Sequence, residues 1–224
     1  MRYWLNGMLV FGWCLLVIQP SQVEAVILIN EVLADPPAIG GDANGDGTVS
    51  ATQDEFVELV NTATDPVSLT GWTLSDAVSL RHTFAAGSSI PSLGFFVVFG
   101  GGSPQGFANA AVASSGILSL NNTGDTLTLR DQTAQLIDSF IYGTEGGMDV
   151  SLTRFPDGVG PFVKHTTVVS SSAFSPATTV DGRSTLPVSS SDPTVPEPST
   201  LFLLLPGLAG LLARGRCRFY GSSA

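Results

Sequence analysis

Between residues 26 and 168 the chain never sustains a helical apolar period. It advances instead in short apolar runs broken by turn residues roughly every 8 to 15 positions. Residues 26–34 are almost continuously apolar, the pattern of a strand buried on both faces. EFVELV at 55–60 is a second such run and ends in the turn-forming NTATDP at 61–66. GWTLSD at 71–76 is a short strand that offers Trp72 to the core. FFVVF at 95–99 reads as a central strand, closed by the glycine-rich turn at 100–104. TLTLR at 126–130 alternates, so Leu127 and Leu129 face inward. Runs at 136–142 and 151–155 complete the set. This spacing predicts an all-β antiparallel sandwich.

The two ends differ from this middle. Met1-Arg2 is a positive start, residues 8–18 are an apolar core, and Ala25 follows small residues, so 1–25 reads as a secretory signal peptide cut after Ala25. At the other end Val195, Pro196, Glu197 and Pro198 precede an apolar segment at 200–213, and Arg214, Arg216 and Arg218 follow it. Fourteen residues at ~1.5 Å each cover about 21 Å as a short hydrophobic helix, against a hydrocarbon core of roughly 30 Å. Pro206, Gly207 and Gly210 weaken that helix, and the arginines favour the cytoplasmic side. The physics suits a transient membrane anchor better than a permanent span. Residues 195–219 resemble the PEP-CTERM sorting signal of bacterial exported proteins. The resemblance implies an exosortase-type membrane protease as partner and a protein that is membrane-anchored during sorting, then cell-surface or extracellular. Both cysteines, Cys14 and Cys217, fall in the segments expected to be removed, leaving neither a disulfide nor a thiolate nucleophile.

Residues 26–198 carry 18 acidic and 5 basic side chains, a formal charge of −13. That balance opposes binding to nucleic acid, favours divalent cations and keeps an exported chain soluble. From 169 to 194 Ser, Thr, Pro and Ala dominate, and Phe174 and Leu186 are the only large apolar residues. The composition predicts a flexible spacer between a folded domain at 26–168 and the sorting signal, with a last edge strand docking through Phe174 and Leu186 as the alternative.

Asn30-Glu31, DEFVELVN at 54–61, LTGWTLSD at 69–76, GDTLTLRD at 124–131 and SLTRFPDG from Ser151 follow one another in an order that resembles the lamin-tail domain. The resemblance spans roughly residues 27–165. It implies an immunoglobulin-like β-sandwich, and a family that in bacteria is attached to secreted and surface proteins, usually as a non-catalytic module.

The chemistry-bearing candidate is the insert after the first strand. Asp42, Asn44, Asp46, Gly47 and Thr48 match the first half of an EF-hand or dockerin-type calcium loop: oxygens at alternate positions, then a glycine for the bend. Position 12 is Gln53, so Asp54 is the candidate to close the shell, and Ser50 would act through water or not at all. Without a metal the same letters spell an Asp/Asn/Gly turn. Glu31 and Glu58 lie inside apolar strands, where a bare carboxylate is costly, and are expected to accept backbone amides or to pair with Arg81 or Arg154. His82 and His165 are the only histidines, and no serine sits in a nucleophile-elbow context. The expected function is therefore an exported surface or extracellular-matrix module without catalysis, braced by calcium, with extracellular polysaccharide or surface proteins as partners. A metal-dependent phosphoesterase or nuclease-associated domain, with Asp42, Asp46 and Glu55 on a catalytic metal, is the alternative.

Overall fold

A computed structural model describes residues 27–187 and contains twelve strands, seven of which arise where the sequence places its apolar runs, while those at 67–68, 80–83, 89–90, 110–112 and 162–164 fall outside them. Ala25 and the tail residues Val195, Pro196, Glu197, Pro198, Arg214, Arg216 and Arg218 lie outside the described residues. In chain order the strands are β1 (Ile27–Leu33), β2 (Phe56–Asn61), β3 (Val67–Ser68), β4 (Thr73–Ser75), β5 (Leu80–Thr83) and β6 (Ser89–Ile90). The second half contributes β7 (Phe95–Phe99), β8 (Ala110–Val112), β9 (Asp125–Arg130), β10 (Leu136–Tyr142), β11 (Leu152–Arg154) and β12 (Phe162–Lys164). A single helical turn, α1 (His165–Val168), follows β12. The six-stranded sheet runs β12-β11-β1-β2-β7-β8 and the four-stranded sheet β10-β9-β4-β5, with β3 and β6 forming a small ribbon. Only β7 and β8 pair in parallel; all other pairs are antiparallel. The architecture is an immunoglobulin-like β-sandwich.

The main core lies between the sheets. Ile29, Val32, Val57, Leu59, Phe96 and Val98 face Leu74, Phe84, Leu127 and Leu129 across it. The six-stranded sheet is also covered on its outer face. Leu33, Phe56, Val97 and Phe99 form one outer cluster, and Val60 and Phe95 another. This accounts for the uninterrupted apolar spelling of β1, β2 and β7: both sides of each strand are removed from water.

A bulge in β1 sets which side chains face which way. Ile29 pairs with Leu59 but Glu31 pairs with Glu58, so Asn30 is the inserted residue. The insertion reverses the alternation: Ile27 and Ile29 point into the main core, Val32 points there too, and Glu31 turns outward beside Glu58. The peptide groups of the bulge find partners elsewhere. The Ile29 N–H donates to Asp138 Oδ2 at 2.9 Å, and Arg154 Nε donates to the Ile29 carbonyl at 2.8 Å. Arg154 also pairs with Asp138 at 3.4 Å and lies over the Phe162 ring, which stacks on Phe140. These contacts tie β10 of one sheet to β1, β11 and β12 of the other.

The sequence reading ends the domain at residue 168 and makes 169–194 a spacer. Residues 169–187 are instead packed against the sandwich. Phe174 meets Phe56 edge-on at 6.3 Å between ring centres, Ala177 joins the same outer cluster, and Leu186 fills the other beside Val60 and Phe95. No strand forms there. The segment is held by single hydrogen bonds, among them Leu186 N–H to the Leu93 carbonyl at 2.7 Å, and by carboxylates described below. Few apolar residues suffice because a strap has one face to bury, not two.

Half-buried Phe174 should therefore contribute to stability. We expect Phe174→Ala to lower the unfolding free energy by about 2 kcal/mol, less than for a fully enclosed phenylalanine. Chemical denaturation of the full chain checks this; an unchanged midpoint would return the segment to the spacer role.

Candidate functional site

The acidic insert between β1 and β2 is ordered by its own side chains. Asp42 Oδ2 accepts the Gly47 N–H at 2.9 Å, Asn44 Oδ1 accepts the Asp46 N–H at 2.9 Å, and Asp46 Oδ1 accepts the Thr48 N–H at 2.9 Å. Fully buried Asp54 accepts from Asn44 N–H through one oxygen at 3.0 Å and from Ser50 N–H through the other at 2.7 Å. The loop turns back on itself at Gly47, whose φ of +89° a side chain would strain. Short Asx turns are what Asp and Asn do when the next amides lack strand partners.

A second loop completes the arrangement. Ser103 N–H donates to Asp46 Oδ2 at 3.0 Å, Asn44 Nδ2 donates to the Gly101 carbonyl at 3.3 Å, and Gly101 N–H donates to the Gln53 carbonyl at 3.1 Å. Gly102 has φ +74°, and a Cβ there would strike both Asp46 Oδ2 and Asn44 Nδ2. The glycine run that the sequence presents as a plain turn is thus the docking surface of the acidic loop. Its signal was legible only as a lack of side chains.

The predicted ligand positions Asp42, Asn44, Asp46, Thr48 and Asp54 are brought into one loop, but in unequal states. Asp42 Oδ1 is buried with no protein partner. Both oxygens of Asp54 are occupied by amides. Among the described residues no three His, Cys, Asp or Glu side chains form a group able to hold a metal ion.

Glu31 and Glu58 form the second polar cluster, on the outer face of the six-stranded sheet. Glu31 accepts Ser151 Oγ–H at 2.6 Å, Ser175 N–H at 2.9 Å and Ser175 Oγ–H at 2.8 Å. Glu58 accepts Asn30 Nδ2 at 2.9 Å and Ala177 N–H at 2.6 Å. The expected backbone-amide acceptance is present. The alternative pairing with arginine is not: Arg81 pairs with Asp76 and Arg154 with Asp138. Burial pushes both glutamates above the usual carboxylate range, and the neighbouring Glu31 charge pushes Glu58 further.

Among the described residues the remaining titratable groups have separate partners. His82 accepts the Ser114 N–H at Nδ1 and packs edge-on against Phe84; burial lowers its pKa. His165 Nδ1 meets the Ser172 carbonyl at 2.9 Å. Among the described residues no serine hydroxyl is hydrogen-bonded to a histidine ring nitrogen. Glu55 does not join Asp42 and Asp46. It turns inward, accepts the Leu120 N–H at 3.2 Å, and is pushed up to about 7 by burial. A cleft of about 470 Å³ is lined by residues that include Asp76, Arg81, Leu120 and Asp125. Its carboxylates are engaged, Asp76 by Arg81, Val78 N–H and Ser79 N–H, and Asp125 by Ala77, Asn121 and Thr126 N–H groups.

The family model described as Lamin Tail Domain matches residues 20–144, more than half of the 224-residue chain. The match ends before β11, although β11 pairs with β1 in the same sheet. No curated protein matches the chain.

Buried Glu55 gives the stability a pH dependence. Its folded pKa is raised from 4.5 to about 7, so its contribution is complete below pH 4.5 and is lost as pH rises to about 7. The shift corresponds to about 3 kcal/mol. His82 acts oppositely: its folded pKa is depressed, so its contribution is present above pH 6.5 and lost as pH falls through the folded value. We expect the thermal midpoint to peak in mildly acidic buffer, and Glu55→Gln to flatten its alkaline side. A midpoint still rising above pH 7 in the wild type would contradict this assignment.

Proposed function

The chain belongs to the Lamin Tail Domain family, and from that premise we propose an exported, non-catalytic module of the cell surface or extracellular matrix. The observation that carries the reading is the fate of its buried carboxylates. Glu31, Glu55, Glu58 and Asp54 accept structural amides or hydroxyls, so these acids are spent on holding the fold and are not presented to a substrate. An active acid–base pair would need at least one such group free within reach of a cleft.

Delivery rests on the two ends of the sequence. The signal peptide cut after Ala25 exports the chain. The segment from Val195 to Arg218 anchors it until an exosortase-type protease acts, after which the domain meets extracellular polysaccharide or surface proteins. The −13 charge of residues 26–198 supports an extracellular setting over contact with nucleic acid. Calcium enters as a brace on the 42–54 loop. Asp42 Oδ1 is the oxygen in need of a partner, with Asn44, Asp46 and Thr48 in the turn that follows. Asp54 would have to release an amide to join them, which favours a weak site.

Two measurements test these statements. Cells making the full chain or one lacking its last 30 residues are fractionated, and the exported product is weighed by intact mass. We expect loss of both ends from the full chain and mis-sorting of the truncated one; an unprocessed cytosolic product would refute the assignment. Calcium is titrated calorimetrically and by thermal shift. Heat and a raised midpoint are expected in the wild type and not in Asp42→Ala, whereas silence in both removes calcium from the loop.

A further inference from the structure

We propose that residues 173–187 are a latch closed over the outer face of the six-stranded sheet by the Glu31–Glu58 pair, and that this latch loosens when rising pH ionises both carboxyls. The strap touches the sandwich at few hydrogen-bonded points. Ala173 receives Ser151 N–H at 2.9 Å, Ser175 donates twice to Glu31, Ala177 N–H donates to Glu58, and Val180 N–H donates to Asp157 Oδ2 at 3.2 Å. Three of these anchors are carboxylates, contributed by β1, by β2 and by the turn between β11 and β12.

The anchors crowd one another. Glu31 and Glu58 are register partners, and Asn30 Nδ2 bridges Glu58 to Asp157 at 2.9 and 3.1 Å. Among the described residues the ion pairs are Arg81–Asp76, Arg154–Asp138 and Arg183–Asp181, so no cation neutralises these three acids by direct pairing. The other charged or titratable groups facing them are His165 of α1 beside Glu31 and Asp181 of the strap beside Asp157. Like charges in a dry, low-dielectric layer oppose simultaneous ionisation. Amide and hydroxyl donors favour the ionised forms, yet burial outweighs them and holds Glu31, Glu58 and Asp157 above their usual range.

The sign follows from that balance. Folded-state pKa values raised above 4.5 make the contribution of both glutamates complete below 4.5 and progressively lost as pH rises. The strap bears that loss first. β1 and β2 remain joined by a six-pair ladder, whereas Ser175 and Ala177 have no strand partner to fall back on. An open latch would bare Phe56, Val60, Phe95 and Phe99, an apolar face that the closed state hides.

Hydrogen exchange on the full chain, corrected for intrinsic exchange rates and compared at about pH 5.5 and about pH 9, reads the latch directly. Peptides covering 173–180 should lose protection at the higher pH while β9 keeps its own. Glu31→Gln removes one charge of the pair, and the Ser175 hydroxyl can turn to accept the new amide, so the strap's loss of protection at the higher pH should be clearly smaller than in the wild type. Equal protection of the strap at both pH values, a parallel loss in strap and β9, or an undiminished response in Glu31→Gln would each overturn the proposal. If Glu31→Gln does not fold, the wild-type ratio of strap to β9 protection decides alone.

Discussion

One inserted residue, Asn30, governs how this sandwich is built. Without the bulge, β1 would keep strict alternation and turn Glu31 into the core between the sheets, opposite leucines and phenylalanines. With it, Ile29 and Val32 both serve that core and Glu31 emerges beside Glu58. The bulge leaves peptide groups without ladder partners, and Asp138 and Arg154 supply them from β10 and β11. The pair that repairs the bulge is therefore also the pair that joins the sheets at that corner. Removing either partner would leave a buried peptide group unpaired, which costs more than the bond itself gains.

From that geometry follows a preference for acids as structural acceptors. The outer face of β1 and β2 needs something to bind the amides of a chain that runs across it without forming a strand. Glu31 and Glu58 do so for the strap, Asp157 for Val180, and Asp54 and Asp46 for the loops at 42–50 and 103. Each short acid replaces a missing ladder bond. Part of the acidic composition of the chain thus has a local structural reason, beyond solubility.

The sandwich was legible in the sequence because its signals are hydrophobic. β1, β2 and β7 are buried on both faces and mostly apolar, and β9 alternates as a strand with one wet side must. What was not legible shares a cause. The bulge falls on Asn30-Glu31, the one polar interruption of an otherwise apolar run, and two adjacent polar letters do not tell which of them is inserted. The strap at 169–187 was judged by its scarcity of apolar residues, a criterion blind to buried carboxylates waiting for amide donors. The role of Gly102 depends on Asp46, 56 residues earlier, and no local pattern joins them. The acidic loop was visible as a calcium-like spelling, but which oxygen would be free, Asp42 Oδ1, and which would be taken, both of Asp54, depends on three-dimensional partners.

The order of the strap's attachments has a mechanical consequence. Leu186, Val180, Ala177 and Ser175 meet the sandwich one after another from the C-terminal side. Tension entering from that side would load these tethers one after another, as in peeling tape, and then the Ala173 carbonyl bonded to Ser151, before it reached the cross-strand ladders. The strap would thus yield before either sheet is loaded.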